Sequence, residues 1–184
     1  MKKYMYIILF GCCIACGSRP EARKPIKVKT ASYIKESVER NKKLLLLEEK
    51  MISEIIEKDS FHFYQNSGSG SWYHYIAKND TAQYLPKLDD LVTLNYNLVS
   101  FHNDTIYAAE EIGTITYKVD RQELFPGLRH SVKLLKEGET ATFLFPSSLG
   151  YGHHGDNNKI GISVPLKATI SILKIEKQKD SIQN

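Results

Sequence analysis

The sequence predicts an α+β fold: an antiparallel sheet curled around one short helix, with an N-terminal helical extension. Apolar residues recur at helical spacing between positions 44 and 56. Several later segments alternate apolar and polar residues, as half-buried strands do. A Pro-Gly pair at 126–127 opens a short amphipathic segment that ends before Gly138, which is typical of a helix. These three patterns together predict the fold class.

The composition indicates one ordinary globular domain with an appendage. The chain has 184 residues, of which 42% are hydrophobic and 25% charged, and its formal net charge is +4. The basic residues do not cluster on one predicted face, so we expect no nucleic-acid partner.

The N-terminus is predicted to be a targeting segment. Lys2 and Lys3 precede an apolar run from 5 to 16 that is shorter than the about 20 residues needed to span a bilayer. Residues 13–16, Cys-Ile-Ala-Cys, resemble a bacterial lipobox. The resemblance implies that 1–15 is a lipoprotein signal peptide and that Cys16 is lipidated. A simple secretory signal or an uncleaved anchor is the alternative.

Cysteine usage agrees with a lipoprotein. The three cysteines, Cys12, Cys13 and Cys16, all lie in the signal region, so the folded part is expected to have no disulfide and no thiol nucleophile. Gly17 follows the lipidation position, and in the usual sorting scheme this favours the outer membrane. We therefore expect a lipid-anchored protein of the cell envelope that faces the periplasm, with residues 16–31 as a tether.

Residues 32–60 are predicted to form the N-terminal helix, with Ser32 as its N-cap. Its apolar stripe has spacings of three and four and comprises Leu44, Leu45, Leu47, Met51, Ile52, Ile55 and Ile56. Two interpretations stay open. The stripe packs on the chain's own domain, or the surface Leu44–Ile56 forms a homodimer or binds a partner.

The main domain is predicted over 72–177, followed by a charged tail at 178–184. The predicted strands cover 72–77, 91–101, 105–119 with a bulge at Gly113, 139–145 and 164–175. The short helix is predicted over 126–136, and a long loop over 147–163. His153, His154 and Asp156 share that loop with nothing to orient them, so no metal site is predicted.

Four segments in this domain resemble FKBP-type peptidyl-prolyl isomerases. They are Leu-Phe-Pro-Gly-Leu at 124–128, Leu-Leu-Lys-Glu-Gly-Glu at 134–139, Phe-Pro-Ser-Ser-Leu-Gly-Tyr-Gly at 145–152 and Ile-Leu-Lys-Ile at 172–175. Their order and spacing match the family over about half the chain. The lipobox, the Arg-Lys-Pro at 23–25, the helix start at 36–43 and the Trp-Tyr at 72–73 are similar to the gliding-motility-associated FKBP-like lipoproteins.

The resemblance implies an FKBP-like sheet and a prolyl isomerase that acts on proline-containing protein or peptide clients. Such an enzyme needs no cofactor, metal or nucleophile, because catalysis is preferential binding of the twisted amide. The catalytic positions carried over from the family are Tyr96, Tyr107, Phe125 and Tyr151. Further pocket positions are Ile115, Tyr117, Leu124 and Ile160.

Three pocket positions depart from the family pattern. Ala108 stands where the family has an Asp, Leu128 where it has a Trp, and Ala168 where it has a Phe. The losses predict a weakened pocket for the proline ring. The leading interpretation is a lipid-anchored prolyl isomerase or folding factor for envelope proteins, including those of a gliding-motility machinery, with reduced activity. The alternative is a non-catalytic FKBP-like scaffold or chaperone in an envelope assembly.

Overall fold

The computed structural model describes residues 30–178. The expected signal peptide, the lipidated Cys16, nearly all of the tether and the tail after 178 lie outside the described residues. The elements are α1 (Thr30–Lys58), β1 (Gln65–Asn66), β2 (Trp72–Ala77), β3 (Leu91–Tyr96), β4 (Leu98–Ser100), β5 (Thr105–Tyr107), α2 (Ala109–Ile112), β6 (Ile115–Lys118), α3 (Pro126–Val132), β7 (Thr140–Phe145) and β8 (Leu166–Glu176). A turn of 3-10 helix covers Ser147–Leu149. The chain divides into two compact units at Val38, and the domain described below starts at Glu39.

The strands form one antiparallel sheet in the order β1-β2-β7-β8-β3-β6, with β4 joined to β8 and β5. The 11-residue β8 runs through the centre and pairs with β7 on one side and with β3 and β4 on the other. The predicted α+β class, an antiparallel sheet with few helices and an N-terminal helix, is confirmed.

The predicted strand over 91–101 is two strands, because Asn97 interrupts the ladder. Its backbone N–H donates to the carbonyl of Thr169 (3.2 Å), and its side-chain Oδ1 accepts the N–H of Thr169 (2.8 Å). After this break Leu98 and Val99 are both buried, so the alternation of inward and outward residues ends. The sheet therefore bends between β3 and β4.

The predicted continuous strand over 105–119 is wrong. β5 ends at Tyr107, and the chain makes the helical turn α2 before it enters β6 at Ile115. Gly113 ends this turn with φ +75°, and its N–H donates to the carbonyl of Ala109 (2.9 Å). Glycine adopts this backbone conformation without the steric cost that a Cβ brings.

The helix α3 packs on the sheet and is shorter than the predicted 126–136. Leu128, Val132 and Leu135 are fully buried in the core with Phe143 and Phe145. After Val132 the chain turns, and Glu139 Oε2 accepts the N–H of Lys136 (2.8 Å). The predicted helix stop at Gly138 is wrong, since Lys133 is the C-cap of α3; Gly138 has φ +82° in the turn that leads into β7.

The part of α1 from Glu39 onward packs on its own domain. Ile52 and Glu48 are 2% and 3% exposed, and Glu48 Oε2 accepts the backbone N–H of Ser147 (2.9 Å). Leu45, Leu46 and Leu47 are 40%, 57% and 61% exposed, so one side of the predicted stripe faces solvent. No helix within 30–178 is long and apolar enough to cross a membrane.

Asp90 ties the start of β3 to the chain after β8. Its carboxylate accepts the Tyr84 hydroxyl (2.7 Å) and the backbone N–H groups of Lys87 (2.8 Å) and Gln178 (2.8 Å). Burial raises the pKa of this carboxyl, but the three hydrogen bonds lower it more, so the pKa lies below its usual value. Asp90 is therefore an ionised group that the fold stabilises.

Candidate active site

A cleft of about 380 Å³ opens above the N-terminus of α3. Its lining comes from the end of β3, the segment that enters α3 and the loop after β7, and comprises Tyr96, Glu123, Leu124, Phe125, Gly150 and Tyr151. Three of the four predicted catalytic residues therefore line one cleft.

The sequence positions Phe125 through the residues that follow it. Phe125 is the N-cap of α3 with an extended backbone (φ −60°, ψ 148°), and Pro126 occupies the first turn, where its missing N–H costs no hydrogen bond. Gly127 is buried, and a Cβ there would lie 2.7 Å from Phe145 Cδ1 and 2.8 Å from the carbonyl oxygen of Leu149. Only glycine lets α3 approach this closely.

An aromatic cluster forms the floor and walls of the cleft. The ring centroid of Phe125 lies 5.4 Å from that of Tyr151, 6.4 Å from that of Tyr96 and 5.8 Å from that of Phe145. Phe125 is 9% exposed, so only one side of its ring is open to a ligand, and this side forms the floor of the cleft. Aromatic faces at these distances offer an apolar surface of the size of a proline ring.

The hydroxyls of Tyr96 and Tyr151 are available as hydrogen-bond donors, since neither has a partner among residues 30–178. Burial raises the pKa of Tyr96 and raises that of Tyr151 to about 12. Tyr96, Asp156 and Tyr107 add smaller electrostatic contributions to the shift at Tyr151, so these groups lie near one another. At neutral pH both hydroxyls keep their protons.

Tyr107, the fourth predicted catalytic residue, does not line the cleft, and it holds the loop after β7. Its hydroxyl donates to Asp156 Oδ2 (2.5 Å), and Asp156 Oδ1 accepts the N–H groups of Asn158 (2.9 Å) and Ile160 (2.8 Å). Burial raises the pKa of Asp156, but these hydrogen bonds outweigh it and the pKa is lowered. Asp156 therefore links the Tyr107 hydroxyl to the backbone of the loop.

Several predicted pocket residues lie in the core and do not line the cleft. Tyr117, Leu128 and Ala168 are 1%, 0% and 0% exposed, and the Tyr117 hydroxyl accepts the N–H of Asp120 (3.0 Å). Ile160 is buried at the loop, whereas Ile115 is partly buried against the core. Their roles toward a ligand stay predictions.

Large aromatic rings lie beside Ala168 and Gly127 in the core. Ala168 lies opposite Phe143 in the β7–β8 register, and the rings of Phe143 and Phe145 stack with centroids 5.8 Å apart. Phe145 also packs directly against Gly127. Phe143 and Phe145 therefore fill the core beside Ala168 and Gly127, and the floor of the cleft is Phe125.

Two residues of the site were not predicted as such. Glu123 lines the cleft as the only acidic residue of its described lining. Asp156 was considered only with the adjacent histidines, while its structural partner is Tyr107, 49 residues away. No local pattern in the sequence indicates a pairing at that separation.

Comparisons with known proteins agree with the fold and the motifs. Residues 82–173 match the model of the family of FKBP-type peptidyl-prolyl cis-trans isomerases. Over 113 residues the chain is 31% identical to a probable FKBP-type peptidyl-prolyl cis-trans isomerase, FkpA, of Neisseria meningitidis serogroup B. The match covers 60% of this chain and 40% of that protein, so the chain spans about two fifths of the relative.

Two solved structures share the fold. A peptidyl-prolyl cis-trans isomerase of Pseudomonas syringae pv. tomato superposes with a TM-score of 0.59 at 14% identity, covering 74% of this chain and 96% of that one. The N-terminal domain of FKBP42 from Arabidopsis thaliana gives 0.56 at 15% identity, covering 62% and 93%. At these identities the likeness concerns the fold alone.

Proposed function

Because the chain belongs to the family of FKBP-type peptidyl-prolyl cis-trans isomerases, we propose that it isomerises X-Pro peptide bonds in the cleft between Tyr96 and Tyr151. One observation carries the proposal. The buried ring of Phe125 forms an apolar floor, and two tyrosine hydroxyls without partners among residues 30–178 flank it.

A cleft of this kind is suited to catalysing rotation about the partial double bond of an X-Pro peptide. The barrier is about 18–20 kcal/mol, and the uncatalysed reaction takes tens to hundreds of seconds. The twisted amide has lost its resonance, so an apolar surface that desolvates it favours the transition state over the planar ground state. The residues needed are a floor for the proline ring and a few donors to the flanking carbonyls.

The site residues divide these roles. Phe125 provides the floor through its ring and a donor through its backbone N–H at the start of α3. The Tyr151 hydroxyl is the second donor, and Tyr96 closes the opposite wall. Tyr107 acts through the loop, because its bond to Asp156 holds the segment that carries Ile160.

The activity is proposed to be lower than is usual for the family. Ala108 stands where the family has an Asp, so the site lacks that carboxylate. Leu128 and Ala168 place fewer aromatic contacts around the proline ring, although Phe143 and Phe145 fill the core volume.

The test is the isomerisation rate of a Phe-Pro tetrapeptide with the full chain and with Tyr151→Phe. Loss of one neutral hydrogen bond of about 1 kcal/mol lowers kcat/KM about fivefold. Tyr75→Phe is the matched control, since Tyr75 is another half-buried tyrosine and lies outside the cleft. Equal rates for the parent and Tyr151→Phe would refute the role of the hydroxyl. No rate above the uncatalysed one would refute the isomerase.

We also propose that the domain is held at the outer membrane, facing the periplasm, through lipid on Cys16, and that its clients are proline-containing envelope proteins, including those of a gliding-motility machinery. The support is the lipobox-like segment and its N-terminal resemblance. Incorporation of labelled palmitate that Cys16→Ser abolishes is the expected result, and equal labelling of both would contradict it.

A second candidate function is a non-catalytic FKBP-like scaffold or chaperone. The exposure of the three consecutive leucines of α1, Leu45, Leu46 and Leu47, favours it, because together they offer an apolar surface to a partner or a second copy. Cross-linking from α1 to a single partner, lost in Leu46→Glu/Leu47→Glu, together with absent turnover, would favour the scaffold. Turnover without such a partner would favour the enzyme.

A further inference from the structure

A cluster of metal-ligating side chains lies outside the cleft. Asp59, His62 and His74 each offer one ligand atom, and these atoms all lie within 4.8 Å of one another. None of the three lines the cleft or takes part in the isomerisation proposed above. Two imidazoles and one carboxylate are a donor set that binds divalent transition metals in many proteins.

The end of α1 positions two of the ligands. The N–H of Asp59 bonds to carbonyls of the last helical turn, which fixes the residue just beyond the helix. Asp59 Oδ1 accepts the backbone N–H of Phe61 (3.1 Å), and this tight turn brings the His62 ring back over Asp59. His62 Nδ1 then lies 2.8 Å from Asp59 Oδ2.

The third ligand comes from the sheet. His74 lies in β2, and its side chain points to the face opposite Tyr73, whose ring stacks on Phe143 in the core. On that outer face the His62 ring stacks on His74 with centroids 4.1 Å apart. His74 is only 6% exposed in consequence, although it lies on the side of the sheet away from the core.

Two further groups orient the ligands. The Tyr64 hydroxyl donates to Asp59 Oδ2 (3.1 Å), and the Tyr64 ring meets the His74 ring edge-on at 4.8 Å. His74 Nδ1 lies 3.5 Å from the carbonyl of Tyr75, at the outer limit of a hydrogen bond. Second-layer contacts of this kind hold metal ligands in their binding orientation.

We propose that Asp59, His62 and His74 bind one transition-metal ion of the Zn²⁺ class. A tetrahedral ion with bonds of about 2.1 Å holds its ligand atoms about 3.4 Å apart, so the widest pair has to close by at most about 1.4 Å through side-chain rotation. Mg²⁺ and Ca²⁺ are disfavoured because they require oxygen ligands. The fourth position is left to water.

The ion cross-links the segment that follows α1 to the sheet. Asp59 and His62 belong to the segment that leaves the helix, and His74 belongs to β2, so one ion joins the two. The bound form is expected to melt at a higher temperature than the metal-free form, since an ion that binds only the folded chain stabilises it.

The test is calorimetric titration of ZnCl₂ into the full chain in detergent, with Cys12, Cys13 and Cys16 changed to serine to remove thiol ligands. One equivalent is expected to bind, with a rise in Tm. His62→Ala, at an exposed residue, and the near-isosteric Asp59→Asn are expected to lose at least about tenfold in affinity. Tyr64→Phe, which removes only an orienting hydroxyl, is expected to lose about tenfold.

The control is the double variant His153→Ala/His154→Ala, which removes two exposed histidines elsewhere and is expected to bind as the parent does. Circular dichroism of each variant checks that it is folded. Absence of binding to the parent overturns the proposal. So does equal affinity of the parent and folded His62→Ala, or loss of binding in the control.

Discussion

Replacing Glu48 by alanine is predicted to loosen α1 from its own domain. Glu48 is 3% exposed on the helix and its Oε2 accepts the N–H of Ser147, which is itself 4% exposed. In Glu48→Ala that N–H stays buried without its acceptor, and a buried donor left unpaired costs about 1–3 kcal/mol.

A second effect opposes this loss. Glu48 Oε1 is buried and has no hydrogen-bond partner among residues 30–178, so removal of the side chain relieves an unfavourable burial. The lost acceptor outweighs it because alanine also leaves a cavity beside Ile52. The expected net loss of unfolding free energy is about 1–2 kcal/mol, or a fall in Tm of about 3–6 °C.

Thermal unfolding followed by circular dichroism measures this shift. Glu48→Gln retains an acceptor for Ser147 and is expected to melt close to the parent. Glu49→Ala is the matched control, since Glu49 is exposed on the next helical position. Unchanged or raised stability of Glu48→Ala would refute the reasoning that α1 is held by this contact.

Three further substitutions test the fold. Two lie in α3 next to the cleft, and the third, at Asp90, lies just before β3. Gly127→Ala places a Cβ 2.7 Å from Phe145 and 2.8 Å from the Leu149 carbonyl. The substitution is therefore expected to lower both the urea midpoint of unfolding and the isomerisation rate. An unchanged midpoint would contradict the close approach of α3. Leu128 is fully buried, so Leu128→Trp is expected to lower the free energy of unfolding by about 1–3 kcal/mol through overpacking and to leave turnover no faster. Faster turnover would show that the floor of the pocket is unfilled. Asp90 has a lowered folded-state pKa, so its stabilisation is present above the unfolded pKa of about 3.9 and is lost as pH falls through the folded value. Asp90→Asn should flatten stability against pH below about 4 in acid titrations, and an unchanged slope would contradict this.

The sequence predicts the elements whose periodicity is long and regular, and misses the short ones. α1 and β8 are recognisable from many residues at one spacing. α2 has four residues, fewer than two helical turns, so no period is visible in it. The break at Asn97 depends on hydrogen bonds to Thr169, a partner 72 residues away.

The same limit holds for the site. Phe125 and Tyr151 belong to compact motifs, and the cleft contains both. The core position of Ala168 depends on the large ring opposite it in the neighbouring strand, and single positions do not show that Phe143 faces Ala168. Glu48 is a charged residue within an apolar stripe, and only the placement of the Ser147 N–H explains its burial.

Prolyl isomerisation in the cleft can be tested by exchange spectroscopy on a Phe-Pro tetrapeptide with the ¹⁵N-labelled full chain. This measurement reports turnover and the place of binding together. Catalysed exchange between the cis and trans resonances is expected, with peptide-dependent shifts of the Phe125 and Tyr151 amides. An exchange rate equal to that of the free peptide, with both amides unmoved, would contradict it.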